Sequence, residues 1–318
     1  MRLLIIKLGA IGDVLMARAM LEAVPEGSEV SWVCGKSVAP LVREFEGVTE
    51  LIEIDDEALL KGGLFARLRV MLGLWMELLG RRFDLIATGH SDRRYGWLSL
   101  TASGEKRSFA TQPPRSGRFH GDEYARLLHG IDGPTAPRAK LAPLRKPKPA
   151  PKSALLFPGG AKNILRDDAL RRWPLSHYVD LAQLLLKKGW KVSIAGAESD
   201  RWVWQGFEGL KVADRIGAWS LPETLDACAA SAAVVTHDSG PLHLALASAS
   251  RVVALFGPTM PSEKVQVREG VTVLWGGADL ACRPCYDGKN YAPCSNNVCL
   301  KRVTPGAVMA ALEGKRAR

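Results

Sequence analysis

A chain of 318 residues has room for two domains of ordinary size, each with its own core, and its 47% hydrophobic content excludes a disordered polypeptide. The 43 basic and 33 acidic residues leave a formal charge of +10, which favours an anionic partner such as a nucleotide or an anionic membrane surface. Nucleic acid is disfavoured, because no RNA-recognition signature, paired-histidine zinc finger or aromatic–basic interleaving occurs.

In chain order, Leu3-Leu4-Ile5-Ile6 has the pattern of a buried strand, followed by the loop Lys7-Leu-Gly-Ala-Ile-Gly-Asp13 and a helix over residues 13–24. Lys7 and Asp13 interrupt what would be the apolar region of a signal peptide, so the chain is expected to be cytoplasmic. Strands are expected at 30–33, 51–54 and 83–87. The segment 64–79 is apolar but broken by Arg67, Arg69 and Glu77, too polar for a membrane span. It fits either a buried amphipathic helix or a helix lying on a membrane surface. A proline- and lysine-rich stretch over 133–153 breaks the pattern. Strands at 154–157, 191–195, 232–235, 252–256 and 271–274 then alternate with helices at 176–188, 221–229 and 241–248. Alternating strands and helices mean parallel sheets covered on both faces. The expected organisation is a domain over 1–142, a linker over 143–152 and a second domain over 153–318, with a ligand held between facing loops.

Four loops carry the chemistry, each after an expected strand. The first, Gly9-Ala-Ile-Gly12-Asp13, lacks the GxGxxG spacing of dinucleotide folds, which counts against a dehydrogenase. Asp13 fits both an N-terminal helix cap and a residue facing a ligand. The second, Phe157-Pro-Gly159-Gly160-Ala-Lys162, occupies the corresponding place in the second domain. The third, Arg171-Arg172-Trp173-Pro174, sets two cations beside a Gly-rich turn, where they can neutralise a diphosphate or form an ordinary basic turn. The fourth is Thr236-His-Asp238-Ser239-Gly240-Pro241-Leu-His243, in which Asp238 or Ser239 is expected to cap a helix whose free amides attract phosphate. His243 falls about one turn further on, within reach of the same anion.

These four loops, followed by Val253-Ala-Leu-Phe-Gly-Pro258-Thr259, occur in the order seen in the heptosyltransferases of lipopolysaccharide synthesis, and the chain resembles that family over nearly its whole length. The resemblance implies the GT-B architecture, α/β with two Rossmann-like domains whose parallel sheets face across a cleft. It implies an inverting transfer of heptose from ADP-heptose to a lipid-linked saccharide acceptor, without metal or other cofactor, at the inner face of the inner membrane. It makes Asp13 the catalytic base, places Gly9 and Gly12 on the acceptor side, and puts Arg171 where the family has a lysine on the nucleotide phosphates. Gly159, Gly160, Lys162, Arg172, Asp238, Ser239, Gly240 and His243 would hold the donor, and Glu198 would match an acid that binds ribose hydroxyls. Two departures stand out, Ala17-Arg18-Ala19-Met20 after the first Gly-Asp, and extra residues at 163–170 before Arg171.

The chemistry agrees independently. Glycosyl transfer passes through an oxocarbenium-like centre, the acceptor hydroxyl needs a base, and the leaving diphosphate needs positive charge. No Asp-x-Asp sequence is present to hold a divalent ion, so cations and helix amides would carry that charge. Competing readings are a GT-B epimerase, which needs no acceptor, and a non-catalytic nucleotide-sugar binder, which has no use for Asp13. Of 6 cysteines, those at 282, 285, 294 and 299 form C-x2-C-x8-C-x4-C. This spacing fits a zinc site, disulfides or free thiols; related transferases often have cysteines here, so the segment is expected to clasp the tail, with its sulfurs close together.

Overall fold

The computed structural model describes residues 1–129, 139–162, 164–287 and 290–314. Part of the proline-rich stretch at 133–153 and Asn163 therefore lie outside the described residues. The chain divides into two compact units, Met1–Ala142 and Pro143–Arg318.

The first unit carries β1 (Arg2–Ile6), β2 (Glu29–Gly35), β3 (Glu50–Ile54), β4 (Arg82–Thr88) and β5 (Ser103–Ser108), all parallel, in the order β3-β2-β1-β4-β5. The second carries β6 (Ala150–Phe157), β7 (Lys191–Gly196), β8 (Ala213–Ile216), β9 (Ser231–His237), β10 (Val252–Phe256) and β11 (Val271–Trp275), again parallel, in the order β11-β10-β9-β6-β7-β8. Strands buried on both faces are continuous apolar runs. In β6, Ala154 and Leu156 pack in one core cluster with Tyr178, Leu181 and Ile194, while Leu155 and Phe157 pack on the opposite face with Val234, Leu242 and Phe256. This is the two-residue period of a strand filling a core on each side.

Strand order reverses once in each sheet. The chain moves outward from β1 to β3 and returns beyond β1 with β4; it moves outward from β6 to β8 and returns with β9. At such a switch point neighbouring loops diverge above the sheet and leave a crevice at the strand ends. The loops after β1 and β4 flank one switch point, those after β6 and β9 the other.

Several local expectations change. The helix expected over 13–24 is two short ones, Ile11–Ala17 and Ala19–Ala23, and Ala10, not Asp13, stands at the cap position. Neither Asp238 nor Ser239 caps the helix Gly240–Ala247 through its side chain: Ser239 occupies the position with its backbone, and its hydroxyl donates to the His237 carbonyl. Within the expected linker, the Leu144 and Lys148 N–H groups donate to the carbonyls of Ala247 and Ala229, and β6 already begins at Ala150. That stretch is laid along the second unit. The strands β5 (SGEKRS) and β8 (ADRI) have no apolar run and escape a pattern search because each is an edge strand with exposed residues. The helices His120–His129 and Pro305–Leu312 are likewise additional.

Leu156 is fully buried at the centre of the second sheet. Leu156→Ala is expected to cost about 2–5 kcal/mol, the sum of lost transfer energy and the cavity left behind. Urea unfolding checks this; a loss under about 1 kcal/mol would mean that the second core collapses freely around the gap.

Candidate functional site

At the first switch point, β1 delivers Lys7 with its side chain almost fully buried, its N–H bonded to the Val33 carbonyl. A buried ammonium requires a partner, and Nζ donates to Asp13 Oδ2 at 2.9 Å. Asp13 sits in the first turn of Ile11–Ala17, where the helix dipole favours negative charge, and its side chain is 40% exposed. The carboxylate is thus anchored by Lys7 and partly exposed. Gly9 has no neighbour where a side chain would begin, and Gly12 is buried in the same first turn.

His90, after β4, comes alongside. Its Nε2 accepts the Leu8 N–H at 3.1 Å, which assigns the neutral ring proton to Nδ1, and the ring stacks on Tyr95 at 3.8 Å between centroids. Burial, and then the Lys7 charge, hold the imidazole well below its ordinary pKa. Burial, and then Asp13, push the Tyr124 phenol well up. Two neutral rings therefore border the ion pair. A pattern search missed Lys7 and His90 as site residues because they are 83 positions apart and meet only through the parallel pairing of β1 with β4.

At the second switch point the loops after β6 and β9 touch. Gly160 adopts φ +82°, and a side chain there would meet Ser239 Oγ at 3.3 Å. At Gly159 a side chain would collide with the Asp200 carboxylate. Asp200, buried and absent from the sequence-based candidates, accepts the N–H groups of Gly160 at 2.9 Å and Ala197 at 3.0 Å, and so fixes the Pro-Gly-Gly turn.

Arg171 is the centre of this region. Its guanidinium reaches Asp238 at 3.4 Å and Asp168 at 3.0 Å, and Asp238 also accepts from the Thr259 hydroxyl at 2.7 Å. Burial works against the charge on Arg171, but Asp238, Tyr291 and Asp168 outweigh it and raise its pKa. Burial alone would likewise raise the Asp238 carboxyl; Arg171 and then Lys264 overcome it and hold it below the ordinary range. Arg166 pairs with Asp168 at 3.0 Å and lies over the Tyr286 and Tyr291 rings. His243 is buried in the first turns of Gly240–Ala247, near enough to Asp238 to favour its carboxylate form.

The remaining candidates separate. Arg172 braces the turn, donating to the Gly160 carbonyl at 2.9 Å and pairing with Asp167, and its guanidinium lies over the Trp202 ring. Lys162 forms a backbone bridge with Asp167 and its side chain is exposed. Glu198 stands after β7 in an ion pair with Arg201, its side chain 72% exposed. His237, beneath the loop, is fully buried with Nδ1 3.1 Å from the Tyr178 hydroxyl; burial, then the charge of Arg171, lower its pKa to about 3, so it stays neutral.

The cysteine segment is tied to this same edge. The Cys285 N–H donates to the Pro258 carbonyl at 2.9 Å, and the Asn297 side-chain amide donates to the carbonyls of Leu170 and Arg172, on either side of Arg171. All 6 cysteines are free thiols. Burial, and then Cys299, Cys282 and Cys294, raise the Cys285 pKa. Among the described residues no group of three His, Cys, Asp or Glu side chains is arranged to hold a metal ion.

The ordered loops and the two parallel sheets agree with a family model: that of glycosyltransferase family 9 (heptosyltransferase) matches residues 135–295, half of the chain. The chain belongs to glycosyltransferase family 9. Within the family it is 33% identical over 111 residues to lipooligosaccharide heptosyltransferase 2 of Haemophilus influenzae, a match covering 33% of this chain and 32% of that protein's length. It is 25% identical to lipopolysaccharide heptosyltransferase 1 of Pseudomonas aeruginosa, across 98% of this chain and 97% of the relative. Its fold superposes on the E. coli heptosyltransferase WaaC with ADP-2-deoxy-2-fluoro heptose at a TM-score of 0.70 and 18% identity, covering 99% of each chain. Two parallel-sheet α/β units are thus the GT-B fold of this family 9 chain.

The Arg171–Asp238 pair makes a pH prediction. Asp238 is held below the unfolded carboxyl value of about 3.9. Its contribution to stability is therefore fully present above that pH and is lost as pH falls through the lower folded value. Arg171→Ala leaves the carboxylate buried without its main cation, and a loss of about 3–5 kcal/mol is expected at neutral pH. With the cation gone, burial raises the folded carboxyl above its unfolded value, so the deficit should narrow as pH falls toward about 5 and Asp238 takes up a proton. Urea unfolding of both proteins at about pH 7.5 and about pH 5 checks this. A deficit independent of pH would mean that Lys264 suffices as counter-ion.

Proposed function

We propose that this chain is an inverting, metal-independent glycosyltransferase that moves heptose from ADP-heptose onto the inner core of a lipid-linked lipopolysaccharide precursor, at the cytoplasmic face of an anionic membrane. The observation that carries the reading is the second switch point: a buried arginine, two glycines and a helix N-terminus meet at the strand ends of the second unit. A diphosphate suits such a place. Family membership narrows the reaction to glycosyl transfer, and the names of the two relatives and the heptose nucleotide bound by WaaC support heptose as the sugar.

In this reading Asp13, held by Lys7 and partly exposed, takes the proton of the acceptor hydroxyl. The acceptor oxygen bonds to the anomeric carbon as the bond from that carbon to the diphosphate breaks, and the departing charge falls on Arg171 and the first-turn amides of Gly240–Ala247. Binding the diphosphate requires Arg171 to share or exchange its contacts with Asp168 and Asp238, so Asp168 belongs with the donor residues. Ser239, Gly240 and His243 border the same loop, Gly159 and Gly160 let the phosphates approach, and Arg172 acts through the turn that it braces. Glu198 would meet the ribose from the end of β7, beside the same turn.

Transfer of heptose from ADP-heptose to a heptose-deficient lipopolysaccharide core, run against UDP- and GDP-sugars, tests the proposal. Asp13→Asn should keep the fold and the donor affinity while transfer falls by about 10²–10⁴, the usual worth of a general base. Retention of more than about a tenth of the activity would remove Asp13 from that role.

A further inference from the structure

The helix Leu64–Leu78 has two apolar faces, and the core uses one of them. Leu74 and Leu78 are buried in the first unit's core, with Val70 packed against it. Yet Leu64, Phe65, Leu68, Leu72 and Met76, with Leu79 just beyond, rank among the exposed large hydrophobic side chains, Phe65 at 87% and Met76 at 72%. At 100° per residue these six fall within an arc of about 120°, on the side away from Leu74 and Leu78. The Trp75 indole N–H donates to the Trp97 carbonyl at 2.7 Å, which fastens the turn Arg93–Ser99 to the helix and brings exposed Trp97 and Leu100 to the same region. A monomeric protein rarely leaves so large a contiguous apolar patch in water.

We infer that this face docks on an anionic lipid bilayer, with Phe65, Leu68, Leu72 and Met76 entering the boundary between headgroups and acyl chains. Charge decides between a bilayer and a second copy of the chain. Exposed Arg69 borders the apolar arc on the helix, exposed Arg93 lies in the same turn Arg93–Ser99 that carries Trp97, and the chain has a net charge of +10. A second copy would bring its own net charge of +10 to the contact, whereas anionic headgroups meet the basic side chains with opposite charge. An in-plane helix with a broad apolar face, a basic rim and an indole at its edge is the arrangement that interfacial insertion requires. No described helix is long and apolar enough to cross a membrane. The inference rests on the proposed lipid-linked acceptor only for its purpose, which is to bring the first unit to the surface where that acceptor lies.

Sedimentation with vesicles of phosphatidylglycerol and phosphatidylethanolamine, against phosphatidylcholine alone, tests it. Wild type should bind the anionic vesicles and lose most of that binding in high salt, as the arginine contribution is screened. The triple variant Phe65→Glu, Leu72→Glu, Met76→Glu changes only exposed positions, so its melting temperature should stay close to wild type, while vesicle binding falls by at least about tenfold. Transfer to a water-soluble, delipidated core fragment should survive in the variant, which separates loss of docking from loss of activity; vesicle binding itself needs no transfer and stands or falls independently of the enzymatic reading. Absence of wild-type binding to anionic vesicles, or equal binding by the variant, would overturn the inference. So would a wild-type dimer that the variant converts to monomer without any vesicle binding, because the face would then be a contact between copies.

Discussion

A guanidinium removed from water must be matched by carboxylates, and the second unit is organised around that requirement. Arg171 is largely buried between Asp168 and Asp238, and Asp238 is held in turn by Thr259 from the loop after β10. One cation thus links the loop before Trp173 to the end of β9 and the end of β10. Breaking such a pair leaves an uncompensated buried charge, so the cluster keeps these loops in one arrangement. It also keeps a charged group at the strand ends with its ionic form secured. Asn297, bonded to the carbonyls of Leu170 and Arg172, extends the bracing to the cysteine segment, which gives that segment a mechanical tie to Arg171.

Both units solve the same problem with different chemistry. Each parallel sheet reverses its strand order once, and at each reversal the diverging loops hold an ion pair: Lys7 with Asp13 in the first unit, Arg171 with Asp238 in the second. In the first, the cation is buried and the carboxylate is partly exposed. In the second, the carboxylates are the more buried members and the arginine lies between them. The residue just past the strand is a cation, Lys7, in the first unit and a carboxylate, Asp238, in the second.

The helix Leu64–Leu78 shows the limit of reasoning from local pattern. Its apolar residues extend around more than half of the circumference, so hydrophobicity alone is satisfied by burial in a core or by contact with lipid. Only its packing, with Leu74 and Leu78 inward and Phe65 and Met76 outward, separates the two uses.

The sequence by itself determined the parallel α/β class and most of the strands, since apolar runs such as 3–6, 154–157 and 252–256 have no other stable place than the middle of a covered sheet. It also located the glycine turns and the loops at the strand ends, because only certain residue types permit close backbone approach, and the ordered motifs pointed to the family. Edge strands β5 and β8 stayed hidden because exposed residues carry no burial signal. Which charges would pair was decided by the tertiary structure alone. Lys7 could have faced water, Asp13 could have capped its helix, and Arg171 and Arg172 were indistinguishable neighbours until packing buried one between two carboxylates and set the other against the Gly160 carbonyl. A side chain's type and spacing state what it can do; the desolvation that forces it to choose a partner exists only once the chain has folded.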